Sequence, residues 1–185
     1  MSDEISEMTA TNLRDAHGGE SMAHMRYKIW ADKALEEGFE NVARLFRAIS
    51  HAERIHATNH FVTIGDEAGD FRCASMAAFG YGSTAENLQG GINGETFEVN
   101  EMYPAYLELA KSRNETEAAK SFHYAYAAEQ THARLFSNAR KSVVEGEDPD
   151  LDTVGVCDVC GWTREGELPD QCPIRNATRD QFSTF

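Results

Sequence analysis

The sequence predicts an all-α four-helix bundle with a small cysteine-bearing domain at its C-terminal end. Three observations carry this expectation. Four long segments place apolar residues at helical spacing, a long connection of glycine and small residues separates the second from the third, and three of the four cysteines fall close together near the end.

The first stripe, over residues 10–37, runs through Leu13, Ala16, Glu20, Ala23, Tyr27, Trp30 and Ala34, and Gly38 offers its end. The second, over 40–66, runs through Val42, Leu45, Ile49, Glu53, His56 and His60. Residues 68–82 are long for a helix hairpin and suit a crossover between parallel helices. Ser83, Thr84 and Glu86 offer cap candidates for the third helix, whose stripe is Leu88, Ile92, Glu95, Val99, Met102, Tyr106 and Leu109. Gly90, Gly91, Gly94 and Pro104 are poor helix formers, so packing or ligands must hold this helix and an irregularity is expected. Asn114-x-x-Glu117 resembles a capping box for the fourth helix, which runs to about 144 through Ala118, Phe122, Ala125, Glu129, His132 and Phe136. Residues 1–145 therefore read as the bundle and 146–153 as an acidic linker. Residues 154–185 form a domain too short to hold itself without a staple.

No apolar run approaches the ~18 residues that cross a bilayer, and the N-terminus lacks the apolar core of a signal or transit peptide, so a soluble cytoplasmic protein is expected with no membrane partner. The formal charge of −14 argues against nucleic acid as a partner. Residues 1–145 carry a net −8 and residues 146–185 a net −6. Five acids of the first part are glutamates on the helical stripes or one turn from them. Four cysteines in such a chain point to metal ligation before disulfides.

Glu-x-x-His occurs at Glu53/His56 and again at Glu129/His132, an internal echo between the second and fourth helices. Residues at i and i+3 share a helix face, and both pairs stand where the stripe otherwise calls for Leu or Phe. Glu20 and Glu95 do the same, with Glu98 one turn beyond Glu95. Any one of these glutamates alone would read as a surface residue. Together, five carboxylates facing one another in a core are strongly unfavourable unless cations or protons intervene, and two divalent metals supply that compensation. One Glu from each of two helices and Glu-x-x-His from each of the other two is the ligand set of ferritin-like di-iron and di-manganese bundles, and mixed carboxylate and imidazole ligation suits iron or manganese. His17, His51 and His123 read as structural, with His24 and His60 as candidates for contact with the ligands.

The segments GGESMAHMRY (18–27), AERIHA (52–57), ENLQGGINGETFEVNEMYPAYLELA (86–110) and AAEQTHARLF (127–136) resemble the rubrerythrin family, and within it nigerythrin most closely. The similarity extends over essentially the whole chain. It implies a ferritin-like bundle holding two irons that cycle between Fe2+ and Fe3+, with Glu53 and Glu129 bridging, Glu20 on the first iron, and Glu95 with His132 on the second. It also implies that Glu98 ligates the first iron in the oxidised state and that His56 replaces it on reduction. Tyr27 and Tyr103 match tyrosines that hydrogen-bond ligand carboxylates, against core packing as the alternative. The implied activity is a peroxidase that reduces hydrogen peroxide to water, re-reduced by a donor such as a rubredoxin and its nicotinamide-dependent reductase. A homodimer is implied, its subunits paired head-to-tail so that one C-terminal domain lies near the other subunit's di-iron site. A ferroxidase or iron-handling protein and a non-catalytic redox sensor are the rival readings.

Cys157-Asp-Val-Cys160-Gly161-Trp162 is a metal-binding knuckle, and Cys172-Pro-Ile begins a second, resembling the rubredoxin-like domain of the same family, where four cysteines hold one iron. The fourth position is Arg175, which cannot ligate a metal. Three arrangements stay open: one iron or zinc on three thiolates completed by water or a carboxylate such as Asp158, an empty site, or completion by Cys73. The expectation is a retained but weakened metal site.

Overall fold

The computed structural model describes residues 5–66 and 68–185, so the first four residues of the predicted bundle range and Glu67 lie outside it. Helices α1 (Glu7–Glu36) and α2 (Glu40–Ile64) form one packed pair. The other pair is a composite helix lying against α5 (Thr116–Val144). Its parts are α3 (Thr84–Phe97), a π-helical segment Glu98–Met102 and α4 (Tyr103–Ser112). The two pairs meet through α2 and α5. The connection before α3 contains no helix or strand among its described residues. No helix of the described residues is long and apolar enough to cross a membrane.

The ends of the helices follow their local chemistry. Past Gly38, the Phe39 N–H returns to the Ala34 carbonyl at 2.9 Å and closes α1. Ser83 and Glu86 form a reciprocal capping box at the start of α3. The expected box at Asn114 does not form: Asn114 has φ 59° and closes α4, its N–H donating to the Lys111 carbonyl at 3.0 Å. Asn tolerates this left-handed backbone better than most residues, and here that use wins over capping. The next residue, Glu115, stands at the N-cap of α5 and accepts the Ser6 N–H at 2.7 Å.

The irregularity of the third helix is the π segment, across which the Tyr103 N–H reaches back to the Glu98 carbonyl. Pro104 has no N–H to continue the ladder, so the extra residue is accommodated where a bond is already missing. The glycines of α3 answer to close packing. A Cβ on Gly90 would stand 2.9 Å from the Trp30 ring, and one on Gly91 would stand 2.9 Å from the Phe136 ring.

Two apolar clusters bracket the middle of the bundle. One gathers Tyr27, Trp30, Phe46 and Phe136, and the other Leu13, Tyr103 and Phe122. Beyond α5, strand β1 (Val154–Cys157) pairs antiparallel with β2 (Thr163–Glu165) on one side and β3 (Phe182–Thr184) on the other. Val154 and Val156 of β1 belong to the first apolar cluster, so this small sheet is fastened to the bundle of its own chain. The acidic linker does part of the fastening. Asp148 accepts the Asn41 N–H at 2.8 Å and the Val42 N–H at 3.3 Å, supplying the cap that Phe39 cannot give α2. Arg44 donates to the carbonyls of Leu151, Asp152 and Phe185.

Candidate metal centre

Helical periodicity turns Glu20 of α1, Glu53 and His56 of α2, Glu95 of α3, and Glu129 and His132 of α5 into one buried space, each at most 1% exposed. Their ligand atoms fall into two groups, Glu20, Glu53, His56 and Glu129, and Glu53, Glu95, Glu129 and His132, with atoms in each lying within 4.8 Å of one another. Glu53 and Glu129 belong to both. Glu98, half-buried on the π segment, belongs to neither.

The histidines are oriented from outside. His56 Nε2 lies 3.1 Å from the Cys160 carbonyl, an acceptor, so it must be the donor. His132 Nε2 lies 2.9 Å from Thr163 Oγ1, whose own hydroxyl proton goes to the Gly161 carbonyl at 2.9 Å, so it too donates outward. Both Nδ1 atoms therefore face the carboxylates. His56 Nδ1 is 2.8 Å from Glu129 Oε1 and 2.9 Å from Glu53 Oε2, and His132 Nδ1 is 2.6 Å from Glu129 Oε2. Imidazole lone pairs aimed at carboxylate oxygens require a proton or a cation between them.

Burial, reinforced by the charges of Glu129 and Glu53, pushes the Glu20 carboxyl well above its ordinary range, and burial with Glu53 and Glu129 does the same to Glu95. Burial and the charge of Glu20 raise Glu98. Burial would lower both histidines, but Glu129 and Glu53 outweigh it and raise them. Burial opposes ionisation of Glu129, yet His56 and His132 together hold its carboxyl well below the ordinary range. The orphaned atoms decide the fit. Glu20 Oε2, Glu53 Oε1, Glu95 Oε2 and Glu129 Oε1 are buried without an aligned hydrogen-bond donor. A buried carboxylate oxygen left so costs several kcal/mol by order of magnitude, and a pair of divalent cations would satisfy all four.

Each outer carboxylate has a tyrosine from the opposite helix pair. Tyr27 of α1 donates to Glu95, and Tyr103 of α4 donates to Glu20. Burial and these same glutamates raise both phenols, so they stay protonated donors. Glu20 and Tyr27 are seven residues apart in an unbroken helix, whereas Glu95 and Tyr103 are eight apart across the π segment. The extra residue is absorbed there, which returns Tyr103 to the cluster. His60 stands behind Tyr103, with Nε2 3.0 Å from its hydroxyl and Nδ1 2.8 Å from Ser121 Oγ. Burial and the nearby His56 push His60 down to about 3, so it is neutral, and Ser121, His60, Tyr103 and Glu20 form one directed chain of donors. His24 instead bonds the Ser50 carbonyl at 2.7 Å and touches none of the carboxylates.

The contacts from Cys160 and Thr163 had no signature in the sequence, because one is a backbone carbonyl and the other a common hydroxyl. Gly161 was the available signal. Its φ is 77°, and a Cβ there would stand 2.1 Å from His56 Nε2. The C-terminal domain thus reaches the centre of its own chain, where Asn59 also donates to the Val159 carbonyl at 3.0 Å.

Cys157, Cys160 and Cys172 form a separate buried group, with the sulfurs of Cys160 and Cys172 3.5 Å apart. Hydrogen bonds from Cys157 and Cys160 hold the Cys172 thiol low, and that pairing together with burial pushes Cys160 up. Neither alternative fourth ligand joins them. Asp158 accepts from Ser183 Oγ at 2.9 Å and lies 2.7 Å from His51 Nε2, and Cys73 is exposed beside Gly18 of α1.

Comparison with known proteins agrees with this geometry. The family model described as Rubrerythrin matches residues 11–140. Rubrerythrin-2 of Clostridium acetobutylicum is 47% identical over 178 residues, covering 96% of this chain and 97% of that protein. Nigerythrin of Nitratidesulfovibrio vulgaris is 33% identical over 177 residues, covering 96% and 86%. A solved structure of fully reduced, all-ferrous nigerythrin superimposes with a TM-score of 0.85 at 33% identity, covering 100% of this chain and 90% of that one. The carboxylate and histidine groups are those of a di-iron site, and the three cysteines are the cluster of a rubredoxin-like domain.

Proposed function

This chain belongs to the rubrerythrin family, and from that premise we propose that it is a cytoplasmic non-haem di-iron peroxidase that reduces hydrogen peroxide to water in oxidative-stress defence. The observation that carries this reading is Glu98. It is a fifth carboxylate raised by burial and by its neighbours' charges, next to the two ligand groups but outside both, while His56 is inside. Two ferrous ions held there would give one electron each to cleave the peroxide O–O bond, two protons completing two waters and both metals ending ferric.

Glu53 and Glu129, which belong to both groups, would bridge the two metals, with Glu20 and His56 completing one group and Glu95 and His132 the other. His56 would hold metal in the reduced site, and Glu98 would take its place in the oxidised site. The exchange suits the charge, since a carboxylate compensates a more positive site better than a neutral imidazole. The π segment presents Glu98 at a cleft of about 450 Å³ lined also by Gly19, Ser75, Gly94, Phe97 and Tyr106, roomy enough for peroxide to reach it. Tyr27 and Tyr103 hold the outer carboxylates in orientation and remain protonated beside the reacting space. Re-reduction falls to a donor such as a rubredoxin with its nicotinamide-dependent reductase, and the working unit is a homodimer.

Stopped-flow mixing of the reduced two-iron protein with peroxide and with dioxygen tests this. Fast oxidation by peroxide and slow oxidation by dioxygen is expected; the reverse preference would make it a ferroxidase. Oxidation by peroxide without turnover by any donor would make it a sensor. Glu98→Gln should keep both irons and slow the peroxide reaction.

A further inference from the structure

We propose that the C-terminal domain is a three-thiolate site for a divalent ion of the zinc class, its fourth vertex taken by a small exogenous ligand in place of a protein sulfur. The two knuckles are backbone copies of each other. The Gly161 N–H donates to the Cys157 carbonyl at 2.8 Å and the Asn176 N–H to the Cys172 carbonyl at 2.7 Å. The Cys157 N–H donates to the Trp162 carbonyl at 2.9 Å and the Cys172 N–H to the Ala177 carbonyl at 2.8 Å. Gly161 and Asn176 both have positive φ, 77° and 57°. This equivalence sets Arg175 on the backbone position of Cys160.

The scaffold for four sulfurs is therefore intact, and only the fourth sulfur is missing. A tetrathiolate iron does not fit the residues present, because a guanidinium offers no lone pair and keeps its proton. Arg175 is exposed and lines a groove with Asn59, Glu117 and Tyr124, on the side facing the bundle. The three sulfurs remain fully buried, beneath Tyr124, Val159, Trp162, Ile174 and Phe182. The 3.5 Å between the Cys160 and Cys172 sulfurs is near the edge of about 3.8 Å that Zn–S bonds of about 2.3 Å give a tetrahedron, and all three sulfurs lie within 4.8 Å of one another. Three protein ligands and one exchangeable position is the pattern of an open zinc site, and soft thiolates favour that ion. Asp158 and Cys73, the two protein donors considered for the fourth vertex, are held elsewhere. Zinc changes no oxidation state, so this domain would position His56 and His132 without relaying electrons. The inference rests on the cysteine domain alone and stands whether or not the bundle reduces peroxide.

Cobalt(II) is the probe, added to the full chain, because only thiolates give its intense near-ultraviolet charge-transfer band and ions in the bundle do not contribute to it. The band should saturate at one cobalt per chain, be displaced by zinc, and shift when 2-mercaptoethanol is added. Arg175→Ala should behave like the wild type, and Arg175→Cys should give a stronger band that ignores the added thiol. Absence of the band in the folded wild-type chain would overturn the proposal. So would a wild-type band indifferent to exogenous thiol, or an iron-thiolate spectrum like that of Arg175→Cys.

Discussion

Replacing Tyr103 with Phe deletes one oxygen from a fully buried site and breaks two hydrogen bonds. The first is the charge-assisted bond to Glu20, and such bonds contribute about 1.5–3 kcal/mol. The second is the bond from neutral His60, whose single N–H would be left buried without an acceptor at a cost of about 1–3 kcal/mol. With relaxation, the loss should be about 3 kcal/mol, which for a chain of this size lowers Tm by roughly 6–12 °C. Glu20 would lose its orientation, so iron retention against a chelator should weaken by about 10–100-fold. Tyr27→Phe breaks only the bond to Glu95 and should cost less, about 2 kcal/mol. Calorimetry of the iron-loaded variants with chelator competition measures both effects. A Tyr103→Phe protein with unchanged Tm and iron retention, or one less affected than Tyr27→Phe, would refute the directed chain.

Three further outcomes are expected. In metal-free protein the raised Glu20, Glu95, His56 and His132 bind more protons folded than unfolded, so their stabilising contribution is present at lower pH and lost as pH rises. Glu129, shifted the opposite way, acts only as pH falls below the ordinary carboxylate range. Calorimetry should therefore show Tm falling from about pH 5 to 8 after chelation, and no such fall in iron-loaded protein, whose ligands must be deprotonated. Asp148→Ala should destabilise by about 1 kcal/mol through loss of the α2 cap, with faster hydrogen exchange at Asn41 and Val42, while Asp148→Asn keeps most of the effect. Gly161→Ala combines a positive φ with a Cβ 2.1 Å from His56 Nε2, so it should displace the knuckle and shift the His56 ring resonances, where an undisturbed His56 would contradict the docked geometry.

The centre was legible because α1, α2 and α5 are regular, and a regular helix converts spacing directly into a face. Glu20, Glu53, His56, Glu129 and His132 occupy positions that an apolar stripe would otherwise fill. The third helix was readable only as irregular. Its glycines and Pro104 marked a disturbance, but the position of the extra residue emerges only when Glu95–Tyr103 is compared with Glu20–Tyr27. Asn114 misled because the same side chain that suits a cap also suits a left-handed helix end. Asp148 sat in an acidic run that looks like a solvated linker, and its partner N–H groups lie more than a hundred residues away. The docking of the cysteine domain was the least visible, since a backbone carbonyl and a common hydroxyl meeting histidine rings leave no recognisable pattern in the sequence.

The most direct test of the central claim is a single-turnover titration of the anaerobic, iron-reconstituted chain with hydrogen peroxide, following iron content and oxidation state together. The two ligand groups predict two bundle irons per chain, both oxidised by one equivalent of peroxide. A bundle that retains one iron or none, or two ferrous ions that persist in excess peroxide, would contradict the account.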